Sequence, residues 1–233
     1  MIRRLTIEWP GALPEGDGNR PVRLLAVSDE RDTALAHARN REAIAPVDAV
    51  LGCGDLEPDY LSFLGDAFQA PLLYVRGNHD RGGAWESGRD IVPTPLGGRL
   101  EQVAGITLAG LGWPTSQTGR AKRDETAAWP QALGVYLRSR LRGPRPQIVL
   151  SHVPPRGLGD TPVDPYHTGF AAYRWLCARL QPVLWLHGHT TMAAAQHWRS
   201  ELGPTTLINV TGAALIQLEA TPRWPVPAEG RER

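Results

Sequence analysis

Cysteine is scarce in this chain: two residues among 233, Cys53 and Cys177, each in apolar surroundings (VLGCGD and RWLCARL). So low a count excludes a disulfide framework and points to two buried free thiols. Long hydrophobic runs are absent as well. No stretch approaches the roughly 20 apolar residues of a membrane-spanning helix. The N-terminal MIRRLTIEWPG carries two arginines but no long apolar segment behind them, so neither a bilayer span nor a secretory leader is expected. From these missing signals the expected location is cytoplasmic. An excess of charge is also missing, the formal net charge being +1. Without a global basic field, long nucleic acid is disfavoured as a partner relative to a small molecule. Internal repeats and long linkers are not found. With 42% hydrophobic and 21% charged residues the composition is that of an ordinary globular protein. One domain over 1–233 is expected, with 1–21 as an N-terminal strand and loop and 222–233 as a polar, proline-rich, frayed tail.

What the chain does contain is an alternation of short apolar runs with helical patterns. Residues 2–9 loosely alternate, and a Pro/Gly-rich loop runs from Pro10 to Pro21. Residues 22–28 (VRLLAVS) read as a buried strand ending at Asp29. A helix is predicted from about Asp32 to Ile44, with Asp32 or Thr33 as N-cap. A second strand, 48–52, ends in Cys53-Gly54-Asp55. Residues 59–69 show helical spacing, and a third strand, 71–75, ends in Arg76-Gly77-Asn78-His79-Asp80. Beyond it come a hairpin around Gly105, a polar loop at 112–123, and a helix over 124–142 interrupted at Pro130. A strand at 147–151 runs into His152. A loop at 156–168 precedes a helix from about Gly169 to Leu180. A strand at 183–187 ends in Gly188-His189, and two strands close the pattern within 205–219. This order of strand, polar loop, helix and strand is an α/β signature. Open α/β sheets bind ligands at the carboxyl ends of their strands, so the polar loops should converge on one edge.

Five strand ends carry side chains suited to metal ions: Asp29, Asp55, Asn78, His152 and His189. Taken singly, each has a plainer explanation. An Asp or Asn after a strand is commonly a turn former or helix cap, and a lone His is commonly an ordinary hydrogen-bonding group. Together, imidazole, carboxylate and amide donors suit manganese, iron, zinc or nickel. Gly54, Gly77 and Gly188 let the backbone approach a compact site.

The motifs GD (54–55), GNHD (77–80), SH (151–152) and GH (188–189), in this order, resemble the calcineurin-like metallophosphoesterase family from about Asp29 to Thr191. The longer strings VSDE, GCGDLEPDYL, YVRGNHD and SHVPPRG resemble a bacterial branch of it. The resemblance implies a four-layer αββα sandwich of two mixed β-sheets flanked by helices. It implies a metal-dependent phosphoester hydrolase, a phosphomonoesterase or phosphodiesterase, that uses metal-activated water on a small phosphorylated substrate, nucleotides included. It also implies one or two divalent ions, manganese first, with iron, zinc or nickel as alternatives. By the same resemblance Asp55 bridges two metals, Asn78, His152 and His189 complete one site, and Asp29 belongs to the other. His79 would lie beside the scissile phosphate and assist the leaving oxygen, with Asp80 orienting it.

Two departures bear on this reading. The family's opening Asp-x-His motif is here Asp29-Glu30-Arg31, and its closing Gly-His-x-His is Gly188-His189-Thr190-Thr191. Arg31 and Thr191 therefore replace two imidazoles of one and the same metal site. Losing nitrogen donors weakens affinity for transition metals. Three arrangements stay open. A second metal binds weakly through Asp29, Asp55 and water, with Glu30, Asp32 or His187 recruited. Alternatively, one metal works with the Arg31 guanidinium aimed at a phosphate oxygen. Or catalysis is lost, leaving a phosphate- or nucleotide-binding or protein-interaction module. Lesser candidates are His187, which could simply buttress the loop; His167, ahead of a helix N-terminus; and Arg156, for which an exposed salt bridge is an equal reading. Trp85 and Trp113 fall in loops that could line a cleft, packing being the plainer role. The sequence sets neither substrate identity nor oligomeric state.

Overall fold

The computed structural model describes residues 2–11, 13, 20–82, 85, 95–114, 124–141, 143–161, 163–191 and 198–220. The Pro10–Pro21 loop and the 112–123 segment lie largely outside these residues, and the 222–233 tail wholly so. Among the described residues eleven strands form two sheets. The first holds β1 (Arg3–Trp9), β2 (Val22–Ser28), β3 (Ala49–Gly52), β4 (Leu72–Tyr74) and β11 (Gly212–Ala220), in the order β1-β11-β2-β3-β4. The second holds β5 (Leu100–Val103), β6 (Ile106–Leu111), β7 (Ile148–Ser151), β8 (Leu184–His187), β9 (Arg199–Leu202) and β10 (Thr205–Asn209), in the order β5-β6-β7-β8-β10-β9. Both are mixed: β2, β3 and β4 run parallel, as do β6, β7, β8 and β10, while β11–β2, β5–β6 and β10–β9 are antiparallel.

Strand periodicity explains the layering. Along β2, Leu24 and Ala26 face the space between the sheets, and Leu25 and Val27 face the opposite way. Along β7 and β8, Ile148, Leu150, Leu184 and Leu186 point inward, while Val149 and Trp185 point outward. Successive side chains alternate between faces, so strands that are apolar at every position need cover on both sides. Helices α1 (Ala38–Ile44) and α2 (Pro58–Phe68) cover the first sheet through Ile44, Leu61 and Leu64. Helices α3 (Glu125–Leu141) and α4 (Ala171–Leu180) cover the second through Ala128, Val135, Tyr173 and Leu176. The result is the four-layer αββα sandwich. Each fully buried leucine or isoleucine contributes about 1.5–3 kcal/mol of transfer free energy.

Three local expectations need correction. The helix predicted over 32–44 is a 3-10 turn (Thr33–Ala36) followed by α1, because His37 between them is extended (φ −90°, ψ 125°). Asp32 does cap the turn, accepting from the Ala34 amide at 2.9 Å. Pro130 does not interrupt α3, which runs unbroken from Glu125 to Leu141. The proline stands on the exposed side while Ala128, Ala132, Val135 and Ser139 bury the other, so the carbonyl left without an N–H partner can meet solvent. Finally, β9 adds a strand where none is expected: its polar RSEL pairs only with β10, at the edge of the sheet.

Candidate metal centre

The parallel strands of both sheets deliver their carboxyl ends to one rim, and the motif residues meet there. His152, directly after β7, is the hub. Its Nδ1–H donates to the Cys53 carbonyl at 2.9 Å, which leaves Nε2 facing inward. Around Nε2 stand Asn78 Oδ1 at 2.9 Å, His189 Nδ1 at 3.1 Å and Asp55 Oδ2 at 3.2 Å. The His189 Nε2–H is taken by the Tyr166 carbonyl at 3.1 Å, so its Nδ1 carries a lone pair. Three acceptors thus surround one nitrogen that can hold at most one proton. Donors so arranged repel one another unless a cation lies between them, and imidazole, amide and carboxylate are the donors divalent metals take. The residues fit a metal ion. Asp29, Asp55 and His152 form a further grouping, with ligand atoms all within 4.8 Å of one another.

Local backbone geometry shows what this convergence demands. Asp29 (φ 61°), Asp55 (φ 56°) and His189 (φ 66°) all adopt the left-handed conformation, which residues with a side chain seldom take and which clusters at functional sites. Gly77 is obligatory, since a Cβ there would collide with Asp55 Oδ1 and lie 2.7 Å from Asp55 Cγ. Gly188 is equally constrained: its Cβ would collide with Asp29 Oδ2 and lie 2.7 Å from Ser28 Cβ.

Electrostatics follow the same pattern. Burial disfavours charge on His152, but the hydrogen bond to Asp55 and the charges of Asp29 and Asp55 outweigh it and raise its pKa to about 9. The pocket is therefore poised to hold one positive charge. Burial, reinforced by the charge on His152, lowers His189 to about 3, and burial lowers His187 to about 4. Both stay neutral near pH 7, the form in which imidazole binds metal. Asp55 is held below the usual carboxylate range: burial opposes this, but the His152 hydrogen bond and charge and the His79 amide prevail.

Several candidates stand elsewhere than the sequence suggested. Asp80 does not orient His79. Its buried Oδ2 accepts from the amides of Gly77 (2.7 Å) and Asp55 (2.8 Å), locking two motif loops together. A buried carboxylate is costly unless hydrogen-bonded, and those amides are the partners at hand. The His79 ring is exposed, and its amide donates to Asp55 Oδ1 at 2.8 Å. Arg31 is not aimed into the centre. It pairs with Glu57 (3.0 Å) and Asp59 (2.8 Å) at the start of α2 and lies over the Tyr60 ring. Two nearby carboxylates at a helix N-terminus compete for the guanidinium, and Arg31 takes them. Asp29 accepts from the His189 amide (3.0 and 3.2 Å) and the Thr211 hydroxyl (3.2 Å). Thr191 is exposed.

His187 is fully buried, and its Nε2 would lie 2.8 Å from a Cβ at Gly159; it packs beneath the loops. The His167 ring pairs with Asp164 and lies 5.0 Å from that of His189. Arg156 pairs with Glu125 at 2.7 Å, half-exposed, as its plainer reading had it. Trp113 is buried, its ring 5.5 Å from that of His189 and 6.3 Å from that of His152. A cleft of about 370 Å³ opens beside the centre, lined by Arg76, Asn78, Asp80, Arg81, Trp113 and Gln131 among others. Sequence reasoning passed over Tyr166, whose phenol oxygen accepts from Asn78 Nδ2 at 2.7 Å. It lies in a Pro/Gly loop without motif or period, and the neighbouring His167 was the only signal pointing there.

Residues 29–192 match the calcineurin-like phosphoesterase family. The match spans most of the chain, and the protein belongs to that family, whose members are phosphoester hydrolases using divalent metals. No functionally curated protein matches the sequence. Among solved structures, one with 16% identity superposes over 84% of this chain and 95% of its own at a TM-score of 0.58. The protein TT1561 of Thermus thermophilus does so with 17% identity, over 82% of this chain and 90% of its own, at 0.57. At such identities the likeness shows the fold. Among the described residues no helix is long and apolar enough to cross a membrane.

Proposed function

We propose that this protein is a metal-dependent phosphoester hydrolase acting on a small phosphorylated substrate, a phosphomonoester or phosphodiester, nucleotides included. The observation that carries the proposal is the convergence of Asn78 Oδ1, Asp55 Oδ2 and His189 Nδ1 on His152 Nε2. Those four residues would hold one divalent ion tightly, manganese first and iron, zinc or nickel as alternatives. Asp29, with Asp55, would serve a second, weaker site. A bound ion of this kind neutralises phosphoryl charge and makes water acidic enough to react near neutral pH.

The chain's own residues supply the rest. The exposed His79 ring stands beside Asp55, placed to protonate or stabilise a leaving oxygen. Asp80 keeps Asp55 and Gly77 in register. Arg76 and Arg81, in the wall of the cleft, bring the positive charge that Arg31 does not. The cleft suits a small substrate rather than a polymer. Both cysteines are buried and free, in keeping with the reducing cytoplasm we assign, and we take 1–233 as one domain.

The test is elemental analysis of protein purified without chelator, with bis-p-nitrophenyl phosphate and p-nitrophenyl phosphate hydrolysis followed after manganese is added. Bound metal with turnover that disappears in Asn78→Ala and His152→Ala supports the proposal; unchanged turnover in either variant sinks it. A second reading, a phosphate-binding or protein-interaction module, draws on the Asp29 carboxylate being occupied by the His189 amide and Thr211. Metal binding without turnover on any of several phosphoesters would favour it.

A further inference from the structure

Asn78 and His189 come from different sheets, Asn78 after β4 and His189 after β8. Among the described residues, one outside every motif hydrogen-bonds to both. Tyr166 accepts from Asn78 Nδ2 through its phenol oxygen at 2.7 Å and from His189 Nε2–H through its main-chain carbonyl at 3.1 Å. We propose that Tyr166 is the positioning residue of the metal centre, its phenol setting the Asn78 amide and its carbonyl setting the His189 ring so that Oδ1 and Nδ1 face the ion. The inference rests on reading Asn78, His152 and His189 as that centre.

The reasoning begins with the amide. Asn78 is 1% exposed, so water is a poor substitute partner for its NH2. When Oδ1 is turned to the ion, the NH2 needs an acceptor, and the phenol oxygen provides it. Without that oxygen the ligating orientation leaves a buried donor unsatisfied, which disfavours it. The flipped orientation, with NH2 towards His152, avoids this cost and cannot ligate. His189 presents the same problem with its two nitrogens. A carbonyl at Nε2 keeps the proton there and leaves Nδ1 as the donor, the usual way an outer partner fixes a metal-binding imidazole.

The segment bearing Tyr166 is well enough braced to impose these orientations. The Tyr166 amide donates to Asp164 Oδ1 at 2.9 Å, and the Thr168 hydroxyl to the Asp164 carbonyl at 2.9 Å. The Gly169 amide donates to buried Asp160 at 2.8 Å. The Tyr166 ring also lies 5.3 Å from that of His189 and 6.5 Å from that of Trp113, so packing holds it over the ligands. Its relative exposure of 39% shows that the other edge faces solvent.

Tyr166→Phe isolates the phenol, since it keeps ring and carbonyl. In the full chain stripped of metal, manganese binding measured by titration calorimetry should weaken about 10–100-fold, the range for losing an outer-sphere partner. The melting temperature of the metal-free protein should stay put, and the visible spectrum of the cobalt-loaded variant should change as Asn78 is lost. An affinity within about threefold of the parent, with an unchanged cobalt spectrum, overturns the inference. So does a loss of affinity matched by a drop in metal-free melting temperature, which would mark a merely structural role. His152→Ala, measured alongside, tests the underlying reading: if it binds manganese like the parent, the centre itself is misassigned.

Discussion

The two halves of this centre have been treated differently by the same fold. In one, around His152, every neutral donor has its unused N–H held by an outer partner: Cys53 carbonyl for His152, Tyr166 carbonyl for His189, Tyr166 phenol for Asn78. In the other, around Asp29, Arg31 and Thr191 stand where the family resemblance would place imidazoles, and the groups there take part in holding the fold. Arg31 neutralises the acidic start of α2, and Asp29 ties β2 to the loops after β8 and β10. A metal site thus depends as much on what restrains its donors as on the donors themselves. Around Asp29 the carboxylate accepts hydrogen bonds from within the protein instead.

The sharpest way to break the contrast is to remove the hub. His152→Ala should abolish manganese binding and turnover together, a loss of more than about 100-fold in calorimetric affinity, whereas Asp29→Asn should leave the tightly bound ion in place. Next comes Gly77→Ala, whose methyl would collide with Asp55 Oδ1 and lie 2.8 Å from Asp55 N. Displacing Asp55 by even about 1 Å should cost about 100-fold in kcat/KM, with about 1–3 kcal/mol lost in urea unfolding.

Proton competition is the next step down. His152 titrates at about 9 in the metal-free protein against 6.5 when unperturbed. An ion must displace that proton, so apparent manganese affinity should rise by up to about tenfold per pH unit below 9 and level off above it. In the metal-free protein the sign is opposite. The raised pKa adds stability that is fully present below pH 6.5 and is lost as pH rises through about 9. Melting temperatures that rise over this window would contradict the assignment.

Restoring both imidazoles, by Arg31→His with Thr191→His, sharpens the contrast from the other side. Metal content should rise towards two ions per chain if Asp29 releases its hydrogen bonds; unchanged content would show those bonds to be the stronger claim. A gain in turnover would mark the natural protein as impaired, and a loss would give Arg31 a working role. Arg31→Ala alone should have the smallest effect: its ion pairs are about half exposed, and such pairs contribute less than about 1 kcal/mol to unfolding free energy.

The buried strands and the motif positions were legible in the sequence, because both are local. An apolar run such as VRLLAVS declares a strand covered on two faces, and the polar residue that follows it must lie at the sheet rim. The GNHD and GH strings name their donors directly. The 3-10 turn at Thr33–Ala36 and the edge strand at Arg199–Leu202 were not legible, since one depends on the extended backbone of His37 and the other on pairing with β10 alone.

By itself, then, the sequence determined an alternation of buried strands and helices and the polar residues at the strand ends, for which short-range apolar periodicity and turn chemistry suffice; the pairing of those strands into two sheets entered only with the family resemblance. Tertiary structure decided which partner each donor keeps. Arg31 meets α2 rather than the centre, Asp80 meets the Asp55 and Gly77 amides rather than the His79 ring, and Tyr166 reaches Asn78 across 88 positions of sequence. Such choices follow from burial and from competition among hydrogen-bond partners brought together by folding, and no local pattern in the chain encodes them.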